Sequence, residues 1–245
     1  MRVPPVRVAE RPAVAAPGLA WLAERIVFED DRLIVVDKPS GLAVHGGSGL
    51  DFGLIEGLRS LRPGLKTLEL VHRLDRGTSG CLMVAKKRSA LRTLHALLRE
   101  GAVKKRYLTL VKGRWQLGEL AVQEPLRIAR QGSARKVKTD PDGKPSVTEF
   151  RLVDEYGDFA SLLDVEIKTG RTHQIRVHAA SVGHPVAGDE QYGDAAFNER
   201  CRSLGLRRLF LHAQLIEFVW PETREEFVVS APLPEELRTL LDALG

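Results

Sequence analysis

The sequence predicts an α+β domain, a mixed and mostly antiparallel sheet with flanking helices, on three observations. Strand-like runs outnumber helical ones. Many of them follow one another with no helix between, so the strict alternation of a doubly wound fold is not met. No segment of roughly 20–50 residues repeats, which sets solenoids and propellers aside.

Residues 3–24 are rich in Pro and Ala, carry no sustained hydrophobic period, and read as a linker or arm that Trp21 and Leu22 dock onto the body. The chain therefore divides into an arm over residues 1–24 and one domain over residues 25–245. The domain opens with Ile26-Val27-Phe28-Glu29, the acidic pair Asp30-Asp31, and Leu33-Ile34-Val35-Val36. Two β-branched runs around a tight turn are a hairpin signal. Pro39-Ser40-Gly41 stops the second strand, and the Gly-rich stretch to Gly53 reads as a mobile loop. Leu54, Ile55, Leu58 and Leu61 fall at helical spacing, as do Leu91, Leu94, Leu97 and Leu98 within residues 89–100. Between these helices residues 82–85 make a short buried strand. Further strands are expected at 107–111, 147–152, 159–167, 209–218 and 227–229, and a last amphipathic helix at 235–244 after Pro232-Leu233-Pro234.

At 245 residues and 43% hydrophobic content the chain can bury a substantial core, so disorder is excluded. No stretch approaches the roughly 18 apolar residues of a membrane span. Met1-Arg2-Val3-Pro4-Pro5 leads into no signal-peptide core, so a cytoplasmic location is expected. Cys81 and Cys201 are too few for a disulfide framework, lack metal-clip spacing, and read as free thiols. The net charge of +5 is mild, but it is clustered: Lys104-Lys105-Arg106; Arg127, Arg130, Arg135, Lys136 and Lys138; and Arg202, Arg207 and Arg208. Such clusters can follow a phosphate backbone, and they can equally be solvated faces.

No P-loop, no G-x-G-x-x-G between strand and helix, and no G-x-S-x-G elbow is present, so no cofactor is expected. His173 and His178 lack the spacing of paired ligands, so no metal is expected either. Three segments concentrate polar groups beside buried elements. In His72-Arg73-Leu74-Asp75, followed by Thr78-Ser79-Gly80, a carboxylate sits on a turn before a core strand. It can be aimed into a cleft, or it can cap the turn through the backbone of Gly77 or Thr78. In Lys104-Lys105-Arg106-Tyr107 the cations would favour a phenolate base, although a strand tyrosine also serves as packing. In the segment from Lys168 to His178, Gly170 makes a turn and Thr172 is the expected N-cap of a helix through Ala180. Arg171, His173 and Arg176 then cluster at a helix start and call for a carboxylate or phosphate. Arg176 is expected to hold Asp75 by a bidentate bond. Chemistry on an RNA base without cofactor or metal needs such a carboxylate, a proton acceptor and a flipped nucleotide.

These residues resemble the RluA family of pseudouridine synthases. His72-Arg73-Leu74-Asp75-Arg76-Gly77-Thr78-Ser79-Gly80 is similar to its H-R-L-D-x-x-T-S-G signature. Asp37-Lys38-Pro39-Ser40-Gly41 resembles its N-K-P-S-G turn, with Asp37 in place of Asn. Tyr107 resembles its active-site tyrosine, and residues 170–178 its G-R-T-H-Q-I-R-x-H motif. Gly183-His184-Pro185, with Gly188-Asp189 and Tyr192-Gly193, looks like the segment that follows. The resemblance runs along nearly the whole chain from Ile26. Residues 44–49 and 55–63 are similar to the branch that modifies large-subunit ribosomal RNA.

The resemblance implies the pseudouridine synthase fold and a uridine that is flipped out, cut at N1–C1′, turned and rejoined through C5. Asp75, Tyr107 and Arg176 are then the catalytic residues. Asp75 attacks C1′ or removes the 2′ proton, Tyr107 lines the base pocket and helps remove the C5 proton, and Arg176 pairs with Asp75. Arg73, Lys105, Arg171, His173 and Gln174 are expected to contact RNA, Arg73 filling the gap left by the base. The partner is large-subunit ribosomal RNA, with no membrane and no metal, and the chain acts as a monomer. A small RNA-binding S4 domain precedes the linker in that branch and is expected to be absent here. A non-catalytic RNA-binding module would account for the basic clusters alone, and a hydrolase would use Asp75 with a histidine. The joint presence of Asp75, Tyr107 and Arg176 favours the isomerase, with a tRNA-directed relative as its competitor.

Overall fold

The computed structural model describes residues 19–46, 53–131 and 134–245. Most of the arm and residues 47–52 of the Gly-rich loop lie outside them. A short helix, α1 (Ala20–Ala23), buries Leu22 as expected, whereas Trp21, expected to dock with it, stays exposed. The hairpin is present as β1 (Ile26–Glu29) and β2 (Leu33–Lys38), paired antiparallel. Asp30 closes its turn by accepting the N–H groups of Arg32 and Leu33 at 2.7 and 2.6 Å. Next come α2 (Leu54–Leu61), β3 (Glu69–Leu70), β4 (Ser79–Ala85), α3 (Arg88–Arg99), β5 (Lys104–Lys112) and β6 (Leu120–Val122). A hairpin of β7 (Leu126–Gln131) and β8 (Ala134–Thr139) follows, then β9 (Thr148–Tyr156), β10 (Ala160–Ile167), α4 (Gln174–Ser181) and α5 (Ala195–Ser203). The chain closes with β11 (Leu211–Val219), β12 (Glu226–Ser230) and α6 (Glu235–Leu244), the last with the bounds expected from sequence.

The main sheet runs β1-β2-β4-β11-β5-β10-β9-β6, with β12 beside β11 and β3 beside β4. All its pairings are antiparallel except one, β4 with β11, so the expected mixed, mostly antiparallel sheet is what forms. Both faces are covered. Ile34, Val36, Leu82, Val84, Leu163 and Val165 pack toward α2 and α4, while Leu33, Val35 and Met83 face the Leu94 and Leu97 stripe of α3. Leu110, Leu162 and Phe210 meet α5 and α6 on that second side. Coverage on two faces explains why β2 and β4 are buried at every position and why residues 33–36 and 81–85 read as unbroken apolar runs.

The one parallel seam positions the chemistry. Its register sets Ser79 opposite His212 and Gly80 opposite Ala213, and on the other side of β11 Ala213 lies opposite Tyr107. Strands sit about 4.8 Å apart, so the turn before β4 and the tyrosine of β5 are two ladder steps from each other. Gly80 is required for this approach: its φ is +104°, and an added Cβ would lie 2.2 Å from the Ala213 carbonyl oxygen.

One further expectation fails, and one element goes unannounced. The helix of the third segment starts at Gln174, and its cap is His173 rather than Thr172, in the left-handed conformation at φ 54°. The basic stretch 127–138 forms a hairpin that the sequence does not announce as strands. Among the described side chains only Leu126 and Val137 join a core, with Val177 of α4, while Ile128 on the same face is exposed, so the apolar signal is short.

Candidate active site

Asp75 lies in a cleft of about 550 Å³ whose walls include Arg73, Tyr107, Ile167, His173, Arg176 and Leu211. The sequence-derived trio of Asp75, Tyr107 and Arg176 is thus brought together from the turn before β4, from β5 and from α4.

The turn that carries Asp75 is held by other groups. Thr78 N–H bonds the Asp75 main-chain oxygen at 3.1 Å. Lys38, fully buried, donates its ammonium to the carbonyls of Pro39 and Leu42 at 2.9 Å and of Arg76 at 3.2 Å. Burial, aided by Arg208, pushes the Lys38 pKa down to about 7 against the pull of Asp75 and Asp37. Ser40 adds a bond to the Gly77 carbonyl at 2.8 Å, and Arg76 one to Gly41 at 2.8 Å. With the turn secured in this way, the Asp75 carboxylate is not needed as a cap. Among the described residues it makes no hydrogen bond and faces only His173 Nε2 at 3.8 Å and Arg176 at 3.7 Å, both on Oδ2. Oδ1 is left to the cleft.

The bidentate bond expected between Arg176 and Asp75 belongs to a different carboxylate. Arg176 Nε and Nη2 donate to Asp189 at 2.7 and 2.8 Å, and only Nη1 points at Asp75. Asp189 is completely buried and also accepts the N–H groups of Gln191 and Tyr192 at 2.9 and 3.0 Å. Burial works against its charge, and the Arg176 bonds overcome it, leaving its pKa below the ordinary value. Gly188 precedes it at φ +73°, where a Cβ would fall 2.1 Å from the Arg208 carbonyl oxygen. Sequence reasoning placed Gly188-Asp189 in a motif but gave Asp189 no task; only the fold reveals its partner.

Tyr107 points from β5 into the cleft and is 6% exposed. The phenolate expected from its three cationic neighbours is not supported. Burial first, then the charges of Asp75 and Cys81, raise its pKa above the usual phenol value. The cations themselves are engaged elsewhere, Lys104 with Glu217 at 2.6 Å and Arg106 with Asp164 at 3.1 Å. Strand alternation turns both away from the tyrosine. Lys105 shares the Tyr107 face, is buried, and has no ion-pair partner among the described residues. It lines a neighbouring cleft of about 1010 Å³ that has Arg73, Tyr107 and Arg171 in common with the first.

Arg73 and Arg171 are exposed at the rim, with no acidic partner among the described residues. Gln174 differs from them. It is 3% exposed, and its amide bonds Val147 O, the hydroxyls of Thr148 and Thr169, and the Arg171 N–H. The RNA contact expected of it gives way to holding the start of α4. His173 is half-buried between Tyr192 and Asp75; its left-handed backbone costs about 1–2 kcal/mol, a strain met at functional positions. His178 is fully buried against Thr148, Ser146 and the Glu124 carbonyl, a structural role. His72 is likewise structural: it accepts the Met83 N–H at 3.2 Å, and burial pushes its pKa down to about 4.

A family model described as RNA pseudouridylate synthase matches residues 32–181. The chain is 53% identical over 249 residues to a ribosomal large subunit pseudouridine synthase C of Yersinia pestis, covering 100% of this chain and 78% of that protein. Among solved structures it is similar to human RNA pseudouridylate synthase domain containing 1, with a TM-score of 0.69 and 29% identity over 89% of this chain and 93% of the other. The human domain containing 4 protein shares the fold at a TM-score of 0.76 and 24% identity, covering 92% of this chain and 95% of the other.

Proposed function

The chain belongs to the RNA pseudouridylate synthase family, and on that premise we propose that it isomerises uridines of large-subunit ribosomal RNA with Asp75 as its catalytic carboxylate. The observation that carries the assignment is the one carboxylate in the cleft whose outer oxygen has no partner among the described residues. A flipped uridine entering there would meet Asp75 at its ribose and the Tyr107 ring at its base. The N1–C1′ bond breaks, the uracil turns, C5 bonds to C1′, and the C5 proton leaves while N1 gains one. Atoms balance, so neither oxidant nor cofactor is called for. Two routes suit a carboxylate at the ribose, attack on C1′ or removal of the 2′ proton, and the free oxygen serves either.

Arg176 orients Asp75 while being locked by Asp189. A neutral Tyr107 supplies a flat ring and a hydroxyl rather than an anion. Arg73, Arg171, Lys105 and the exposed Lys136 of β8 would meet phosphates and the strand beside the flipped base. No helix among the described residues is long and apolar enough to cross a membrane. We take residues 25–245 as the catalytic domain, acting as a monomer in the cytoplasm.

Pseudouridine mapping on large-subunit ribosomal RNA from cells lacking the protein tests this reading. Specific pseudouridines are expected to disappear and to return with the wild-type chain but not with Asp75→Ala. Loss of no large-subunit site would refute the substrate, and restoration by Asp75→Ala would refute the catalytic assignment.

A further inference from the structure

Asp75 has a second neighbour that neither the fold nor the isomerisation chemistry accounts for. The His173 ring lies between two groups, its Nδ1 2.9 Å from the Tyr192 hydroxyl and its Nε2 3.8 Å from Asp75 Oδ2. The Tyr192 hydroxyl is itself occupied from behind, because the Val137 N–H of β8 donates to it at 2.9 Å. With the Val137 N–H already donating to it, the hydroxyl is set to give its own proton to His173 Nδ1, the acceptor within hydrogen-bond distance of it among the described residues. Which nitrogen of an imidazole carries the proton is decided by the bond the other makes. Nδ1 as acceptor leaves Nε2 as the N–H, and Nε2 is the nitrogen that faces the carboxylate.

We propose that Tyr192 and His173 are positioning residues for Asp75: the Tyr192 hydroxyl fixes the His173 tautomer and so presents an N–H to the catalytic carboxylate. This rests on Asp75 being the catalytic group. The backbone of His173 supports it, since the left-handed turn at φ 54° is what swings the ring from the start of α4 toward Asp75. Arg176 reaches the same oxygen from the other side at 3.7 Å. Both groups face Oδ2, at 3.8 and 3.7 Å, which biases the carboxylate toward presenting Oδ1 to the ribose. Catalytic hydrogen bonds are commonly long in the unliganded enzyme and tighten when substrate is bound, so 3.8 Å is a resting distance. Burial also keeps His173 neutral, its pKa lying below the usual imidazole value although Asp75 pulls it upward. Tyr192 is held by more than this bond: its ring lies 5.0 Å from the Arg176 guanidinium and its N–H is fixed by Asp189. Removing the hydroxyl therefore leaves the ring seated; it also frees the Val137 N–H, a loss that is the same whatever stands at position 173, so the His173→Gln background separates the two effects.

The test uses the full chain, a large-subunit ribosomal RNA transcript, and a cycle of Tyr192→Phe with His173→Gln, whose amide keeps a donor toward Asp75 but has no tautomer to choose. Tyr192→Phe alone is expected to slow single-turnover pseudouridine formation about 10- to 100-fold, with RNA affinity unchanged. In the His173→Gln background the same change should cost nothing further. An equal loss in both backgrounds, or no loss in either, overturns the proposal. Nitrogen chemical shifts of His173 in the free protein should show a protonated Nε2 and bare Nδ1, and Tyr192→Phe should mix the two tautomers. A protonated Nδ1 in the wild type overturns the pair even if the transcript is not a substrate. In that event the unmodified RNA counts against the proposed function, and the shifts alone decide the tautomer.

Discussion

Arg176 faces two carboxylates on two turns, and the protein treats them in opposite ways. At Asp189 the guanidinium fork closes at 2.7 and 2.8 Å, two backbone N–H groups also donate to Oδ1, and no surface is exposed. At Asp75 the same arginine stands off at 3.7 Å, no hydrogen bond forms among the described residues, and the side chain is 22% exposed. One carboxylate is satisfied and holds α4 in place. The other is oriented but unsatisfied, which is what a group that must bond a substrate requires. Family motifs place both residues beside the site; only their partners separate structure from chemistry.

Breaking the exposed side of the comparison should have the larger effect. Asp75→Asn is expected to reduce pseudouridine formation by about 10⁴-fold or more, while moving folding stability by no more than about 0.5 kcal/mol. Single-turnover kinetics and a thermal melt check both halves, and a large loss of stability would mean that Asp75 is structural after all. Asp189→Ala should do the reverse. It leaves Arg176 buried and unpaired, and a denaturant titration should show a loss of about 3–5 kcal/mol. The sign with pH follows from the depressed Asp189 pKa. Its contribution is in place above the unfolded-state value of 3.8 and is lost as pH falls through the lower folded value. The wild type should therefore resist acid further than Asp189→Asn, whose melting temperature should not follow this titration.

Arg176→Lys alters the partner that both carboxylates share. Lysine retains the charge but loses the fork, so it cannot hold Asp189 in two bonds and orient Asp75 with a third donor. A fall of about 10- to 100-fold in the single-turnover rate is expected, with affinity for RNA little changed. The smallest effect concerns Tyr107. Because its phenol is raised above the usual value, the rate should not climb as pH rises from about 7 to 10. A tenfold gain for each pH unit would show that a phenolate is the working base.

Much of this molecule could be read from the residues. The opening hairpin declares itself by β-branched runs around Asp30, and α6 by its apolar spacing after a proline pair. Asp75, Tyr107 and Arg176 meet in one cleft as the motifs imply. What could not be read shares a physical cause. The β7–β8 hairpin sends only Leu126 and Val137 into a core among the described side chains, too few apolar positions to announce two strands. The fork from Arg176 to Asp189, and the bond from Tyr192 to His173, depend on how α4 docks against the loop after it. The cationic run at 104–106 looked like an RNA contact or a phenolate trap, and acids on neighbouring strands, Glu217 and Asp164, take up two of its three charges.

The central claim is that Asp75 performs the isomerisation, and release of hydrogen from uridine C5 reports that event directly. A large-subunit ribosomal RNA transcript labelled at C5 with a hydrogen isotope should lose label to water with the wild-type chain, one equivalent for each pseudouridine formed. With Asp75→Asn, folded and still able to bind the transcript, no release above background is expected. Release at the wild-type rate from that variant would contradict the account.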